Sequence, residues 1–364
     1  MKKNILIVTS EFPPQPGGIG NHAYNLALHL AKNDYAVTVI ADQRDLDATE
    51  EMRFDASLSF RVKRISMQSL RFLMYVQRII ATFKEFRKTD IVIATGKFSL
   101  WNVAFCSLFL NRKTMAVIHG TEVNFKSTWL RRSIDFSLKR FDYIVAVSHY
   151  TKSLVGHLNK DVQVIPNGIS IADWKPPKSR IKLKGSPVLT TVGRVSSRKG
   201  QLNVIQQLPE LLKHFPDLHY HCVGIPTEAD DFRAKAKSLE VEDYITFHGS
   251  VSDEQLKQVL QATDIFVMLS SESSTGDVEG FGIAILEANA MGVPAIGATD
   301  CGIEDAVKSG SSGFLINKNS ELEFISAIEH IMESADFYKQ EALRWANLHS
   351  WTTIINSYEE LIEN

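Results

Sequence analysis

Cysteine is scarce in this chain of 364 residues. Cys106, Cys222 and Cys301 stand far apart, without the spacing of a metal or redox site, so they read as buried apolar fillers in a reducing cytoplasm. Long apolar runs are missing too: no stretch approaches the roughly 18 residues of a membrane span. The opening "MKKNILIVTSEF" is interrupted too early for a signal peptide and reads as a first strand. There is no Gly-x-x-x-x-Gly-Lys-Ser/Thr loop, which excludes a Walker-type ATPase. No His/Cys/Asp cluster offers a metal site, and neither short repeats nor low-complexity tracts occur.

Net charge is also nearly absent, at −2. That balance hides a division. Residues 1–176 hold 24 Lys and Arg against 15 Asp and Glu, a net of +9, and residues 177–364 hold 16 against 27, a net of −11. The first half is therefore expected to meet something anionic. The basic residues are scattered and carry no nucleic-acid motif, so nucleic acid is not the expected partner.

What is present is an ordinary globular composition, 44% hydrophobic and 23% charged, in a chain long enough for two domains. Strand-like runs alternate with helical patterns, predicting α/β domains with parallel sheets. The first set of strands is 4–10, 36–41, 90–94, 114–119, 143–148 and 162–166. The second is 187–193, 218–224, 244–249, 264–269 and 293–297. Between them, "PNGISIADWKPPKSRIKLKGSP" reads as a linker. The expectation is two doubly wound domains joined by a hinge, with ligands beyond the carboxyl ends of the strands. "WTTIINSYEELIEN" predicts a final amphipathic helix.

Four motifs follow predicted strands. In "SEFPPQPGGIGNH", Gly18, Gly20 and Ala23 match a G-x-G-x-x-A pattern, and Asp42 ends the next strand. A dinucleotide fingerprint needs its glycines directly after the strand, and here "EFPPQP" intervenes, so a dehydrogenase is disfavoured. Gly17 and Gly18 read instead as a loop closing on a phosphorylated or sugar ligand. His119 ends the strand of "VIHGTEV" and reads as a ligand contact; Glu122 is either a second contact or an N-terminal helix charge. In "VGRVSSRKGQ", Arg194 and Lys199 form a pair suited to a diphosphate, whose developing charge they would stabilise.

The fourth motif, "DVEGFGIAILEANAMGVP", places Gly280, Phe281, Gly282 and Ile283 between two carboxylates, Glu279 and Glu287. Helical throughout, it would separate them by roughly 12 Å of rise, too far to work as one pair. Ionised carboxylates only accept hydrogen bonds and so suit hydroxyls, while the glycines admit a ligand to the backbone N–H groups.

This E-x7-E segment resembles that of retaining glycosyltransferases of family 4. "HGTE", "VSHYTK", "IPNGI" and "GRVSSRKG" resemble other landmarks of that family, in family order and over nearly the whole chain. The resemblance implies a GT-B architecture, with an acceptor-binding domain at 1–168, a linker at 169–186 and a nucleotide-sugar domain at 187–345. It also implies that the final helix, 346–364, crosses back to the first domain. Carried over, Arg194 and Lys199 would bind the donor diphosphate and Glu287 the ribose. Glu279, Phe281 and Gly282 would hold the transferred sugar, Gly18 would close over it, and His119 would touch it near the reacting carbon. Val251 and Asp253 would lie near the base, although Asp253 reads equally as the N-cap of helix 253–262. No cofactor or essential metal is implied, because Arg194 and Lys199 can take a cation's place. "GDVEGFGIAILEA" is particularly similar to phosphatidylinositol mannosyltransferases, which favours GDP-mannose as donor. A UDP-sugar enzyme acting on a soluble acceptor, and a non-catalytic nucleotide-sugar-binding protein, stay open.

The +9 half points to an anionic lipid-linked or glycan acceptor. In residues 69–88, Phe72, Val76, Ile79, Ile80, Phe83 and Phe86 fall on one helical face, with Arg71 and Arg78 opposite. This reads either as a helix packed on its sheet with a basic outer face, or as an interfacial helix at an anionic membrane. The second would make the enzyme peripheral at the inner face of the cell membrane.

Overall fold

The computed structural model describes residues 2–273 and 275–364, apart from the Arg71 side chain. The chain divides into two compact units, residues 1–168 with 351–364, and residues 169–350. In the first unit lie β1 (Asn4–Thr9), α1 (Gly18–Lys32), β2 (Ala36–Asp42), α2 (Thr49–Ala56) and β3 (Arg61–Ile65). They are followed by α3 (Arg71–Phe86), β4 (Ile91–Thr95), α4 (Lys97–Cys106), β5 (Lys113–Ile118), α5 (Thr128–Leu138), β6 (Tyr143–Ala146), α6 (His149–Ser153) and β7 (Val162–Val164). Parallel pairing orders the strands β3-β2-β1-β4-β5-β6-β7. Central strands are apolar on both faces because helices cover both, as in β4, where every residue is buried.

The second unit contains β8 (Val188–Val192), α7 (Gln201–His214), β9 (His219–Val223), α8 (Ala229–Ser238), β10 (Ile245–Gly249), α9 (Asp253–Gln261) and β11 (Ile265–Met268). It continues with α10 (Ile283–Ala290), β12 (Ala295–Ala298), β13 (Gly313–Ile316), α11 (Glu321–Glu333) and α12 (Ala335–Leu348). The parallel order is β10-β9-β8-β11-β12-β13. Residues 169–186, read as a linker, fall within this unit. Lys184 Nζ donates to the Asp243 carbonyl at 2.9 Å, and Gln258 Nε2 to Ser179 Oγ at 2.6 Å.

The last helix, α13 (Trp351–Glu363), belongs to the first unit. Its apolar stripe is buried, with Trp351 against Gly168 and stacked on His29 at 6.0 Å. Lys3 Nζ reaches Glu363 at 2.7 Å, and Asn33 Nδ2 donates to Glu359 at 2.8 Å.

Two expectations about the first unit are corrected. Arg78 is not on an outer basic face but 5% exposed, ion-paired through Nε to Asp42 at 3.0 Å. The rings of Tyr75 and Phe98 flank its guanidinium at 5.6 and 5.4 Å. The buried stripe of α3 therefore runs through Arg78, Ala81, Thr82, Glu85 and Phe86. Leu73, Tyr75, Ile80 and Phe72, the last 69% exposed, stand in solvent. Glu122, for its part, is no helix charge: it lies in a turn and is buried.

Candidate functional site

In doubly wound sheets the carboxyl ends of the strands at the switch point converge on a ligand. In the second unit that point lies between β8 and β11. Beyond β8 the chain passes Arg194 and makes one 3-10 turn, Ser197–Lys199, before α7. Gly200 joins them at φ +84°, and a Cβ there would stand 2.1 Å from the Leu269 carbonyl, at the end of β11. Only glycine lets the loop lie so close, and that closeness sets where Arg198 and Lys199 point.

Beyond β11, Gly282 at φ +91° starts α10, so Glu279 lies in the preceding loop and Glu287 on the helix. Gly280, Phe281 and Gly282 thus form a loop that opens onto a helix, as the sequence reads, and the segment is not helical throughout. Lys199 Nζ donates to Glu279 Oε2 at 2.6 Å, and Arg198 Nη1 to the same oxygen at 2.8 Å. Burial alone would raise the Glu279 pKa, but the two cations outweigh it and hold the carboxyl below the ordinary range. Glu287 differs. Burial pushes it up to about 7, with Lys199 opposing and Asp253 reinforcing the shift. Two carboxyls of one motif thus have opposite charge preferences near neutral pH, set by their neighbours.

The other residues of the second unit expected to meet the donor lie in its loops and at the starts of α9 and α10. Arg194 is exposed and forms no ion pair among the described residues. Gly280 lies in the loop, and Ile283 is the half-buried first residue of α10. Phe281 is 2% exposed, its ring 6.1 Å from His349, so its side chain is core and only its backbone is left for a ligand. Val251 is half-buried before α9. The N-cap of α9 is Ser252, in a capping box with Gln255, and Asp253 is the exposed first helical residue. Arg198 was missed. Its adjacency to Lys199 was visible, but spacing alone does not tell which arginine turns inward.

In the first unit, Gly17 caps α1 and Gly18 opens it, and a Cβ on Gly18 would meet nothing within 4 Å. At Gly17 a Cβ would lie 2.6 Å from Glu11 Oε2. His119 follows β5, its Nε2 2.8 Å from Thr95 Oγ1 and its ring edge-to-face with His22 at 4.9 Å. Its backbone N–H donates to Glu122 Oε1 at 2.6 Å. Burial first, then His22, holds His119 well below the usual histidine range, so the ring is neutral. Burial lowers His22 to about 4, and its Nδ1 lies 2.8 Å from Asn167 Oδ1. The Glu122 carboxyl is pushed up to about 7 by burial, and its Oε2 has no partner. His22 and Glu122 complete a largely buried polar cluster with neutral histidines, which sequence motifs did not single out as a unit.

Two family models match the chain in succession, Glycosyltransferase Family 4 over residues 16–173 and Glycosyl transferases group 1 over residues 174–346. The chain belongs to this family of glycosyltransferases, with the GT-B fold. A relative in Mycobacterium tuberculosis, a GDP-mannose-dependent alpha-(1-6)-phosphatidylinositol monomannoside mannosyltransferase, is 26% identical across 91% of this chain and 90% of its own. A Corynebacterium glutamicum enzyme, acting on the monoacylated form by its name, is 26% identical across 90% and 87%. Among solved structures, Anabaena HepE in complex with UDP and glucose superposes with a TM-score of 0.79 at 20% identity, over 99% of both chains.

Proposed function

We propose that this protein is a retaining hexosyltransferase that moves mannose from GDP-mannose to a lipid-linked or membrane glycan acceptor. The observation that carries the reading is the cluster of Lys199, Arg198 and Glu279 at the second switch point. Two cations share one carboxylate, which leaves positive charge for a donor diphosphate and holds the Glu279 oxygens where sugar hydroxyls can donate to them. Arg194, exposed on the same loop, adds a bidentate donor. As the sugar–phosphate bond breaks, charge gathers on the diphosphate, and preorganised cations lower the barrier most at that moment. Glu287 takes the ribose hydroxyls, and the free backbone N–H groups at Gly282 and Ile283 face the anion.

Retention follows from attack on the same face that the diphosphate leaves, with the leaving oxygen taking the acceptor proton. His119, neutral and fixed by Thr95, hydrogen-bonds the sugar and is no base. No metal is required, because the cations at 194, 198 and 199 do that work. GDP-mannose is supported by two relatives with that donor in their names, matching nine-tenths of the chain. The second reading, a UDP-sugar donor, is favoured by the structural likeness to HepE with UDP and glucose.

A thermal-shift screen of GDP-mannose, UDP-glucose, UDP-galactose and UDP-N-acetylglucosamine, followed by hydrolysis assays with and without EDTA, tests this. Stabilisation and slow hydrolysis by GDP-mannose, undiminished by EDTA, is the expected result. A response to UDP-sugars alone transfers the proposal to the second reading. Binding without turnover of any donor makes the chain a sensor, and loss of activity in EDTA restored by a divalent ion overturns the metal-free mechanism.

A further inference from the structure

An apolar pocket of about 510 Å³ opens in the first unit between α4 and the segment that leads into α5. Lys97, Phe98 and Trp101 line it from α4, and Phe125, Trp129 and Leu130 from the other side. Its walls are stacked aromatics: Trp101 lies parallel to Phe125 at 6.3 Å, and Phe98 meets Trp101 edge-on at 5.6 Å. Tyr75 stacks on Phe98 at 5.5 Å, which joins the pocket to the exposed apolar face of α3. Trp129 is 75% exposed, and a large ring standing in water on a pocket rim marks a surface that meets apolar material.

Three observations say what that material is. Lys97 holds its ammonium 5.1 Å from the Phe125 centroid, placing a cation at an otherwise apolar cavity. Arg131 and Arg132 follow the lining residue Leu130 on α5, both exposed. Second, apart from Lys97 and Ser133 the lining is aromatic and aliphatic, which suits hydrocarbon and not a polar head group. Third, Lys97 stands two residues after Thr95, which holds His119, and its charge also acts on Glu122. Lys97 thus connects the lining of the apolar cavity to the Thr95–His119 pair that follows β4 and β5.

We infer that this pocket holds the first stretch of aliphatic chain of the lipid acceptor, with the acceptor's phosphate at Lys97 and its hydroxyl end toward His119. The inference rests on the glycosyltransferase reading and names what that reading leaves open, the chemistry by which the acceptor is chosen. A chain in the pocket fixes the head group at a set distance from His119, and a phosphate at Lys97 rejects neutral lipids. No bond forms or breaks in the pocket. It selects and positions.

Hexyl, octyl, decyl and dodecyl phosphate, each below its micellar concentration, are titrated against the full chain by tryptophan fluorescence. Affinity should rise by about fourfold per added methylene and level off once the pocket is full. Alkyl maltosides of equal length should bind more weakly to the wild type, and Lys97→Ala should remove that difference. Trp129→Ala, at an exposed position that the fold does not need, should weaken decyl phosphate roughly fivefold or more while the nucleotide-induced thermal shift stays unchanged. Affinity that ignores chain length, or a Trp129→Ala variant that binds like wild type, overturns the inference. So does a dimer in sedimentation velocity that Trp129→Ala abolishes, which would assign the pocket to a second copy. Failure of the glycosyltransferase reading shows separately, as absent donor stabilisation and turnover with alkyl phosphate binding intact.

Discussion

Lys199 does not stand in its loop as an open cation; it is paired at 2.6 Å with a carboxylate that Arg198 also holds. Its removal therefore takes one of two donors from Glu279 and, on the proposed reading, one charge from the donor diphosphate. Lys199→Ala is expected to lower turnover on the order of 10²–10³ with little change in KM, and Arg194→Ala to act through the same term. Wild-type turnover in steady-state assays would take either residue out of the mechanism. Glu122 offers a test of a different kind. Its carboxyl ionises near 4.5 when unfolded and at about 7 when folded, so the folded state binds the extra proton. Stability contributed by that proton is complete below pH 4.5 and is lost as pH rises to about 7. Glu122→Gln lacks this term, and its stability relative to wild type should improve from pH 5 to pH 8 in denaturant melts. Parallel pH profiles for the two proteins would refute the buried, protonated carboxyl. Among these residues Lys199, Glu279, Glu287 and His119 were legible only as candidates, from motif and strand position. Arg198 and the core role of Phe281 were not, because side-chain direction depends on Gly200 and His349, which no spacing encodes.

At the scale of elements, eleven strands were readable from apolar runs, and the two that were not, β3 and β13, are both sheet edges. β3 reads Arg-Val-Lys-Arg-Ile, polar as an edge strand can be, whereas β13, Gly-Phe-Leu-Ile, is apolar but only four residues long. Helix α3 shows the converse. Its length was clear, yet its apolar residues were assigned to the sheet, and the Arg78–Asp42 pair turned another stripe inward. The turn at Gly200 holds the 3-10 helix against the end of β11. Gly200→Ala combines a positive φ with a clash against backbone, and should destabilise the second unit by more than about 1 kcal/mol. The same shift of Arg198 and Lys199 should weaken donor stabilisation in thermal melts. An alanine variant that melts and binds like wild type would show that the loop has another route past Leu269.

For the molecule as a whole, charge divides between the two units: residues 1–168 with 351–364 hold 23 Lys and Arg against 17 Asp and Glu, a net of +6, and residues 169–350 hold 17 against 25, a net of −8. Exposed Phe72, Leu73 and Ile80 on α3, with Trp129 and Phe136 on α5, add apolar surface to the basic half. No helix among the described residues is long and apolar enough to cross a membrane. From the charge and the exposed apolar groups we propose a peripheral mode of attachment. Each basic residue near an anionic surface contributes about 1 kcal/mol, so several must act together, and added salt should weaken binding. Co-sedimentation with vesicles of increasing anionic lipid content, at low and high salt, should show partition that rises with anionic lipid and falls with salt. Equal partition to neutral and anionic vesicles, or none to either, would sink the membrane reading and leave the glycosyltransferase assignment untouched.

The sequence by itself determined the α/β class, the two parallel sheets and the family, because strand periodicity, glycine placement and motif order are local properties of the chain. It also placed each motif after a strand, where the chain leaves the sheet. Tertiary structure alone decided the rest. Whether Arg194 or Arg198 meets Glu279, which stripe of α3 is buried, and that Glu122 and Glu287 titrate near 7 while Glu279 stays ionised all depend on contacts between distant segments. Burial and neighbouring charge, not residue type, set those properties, and both arise only when the chain has folded.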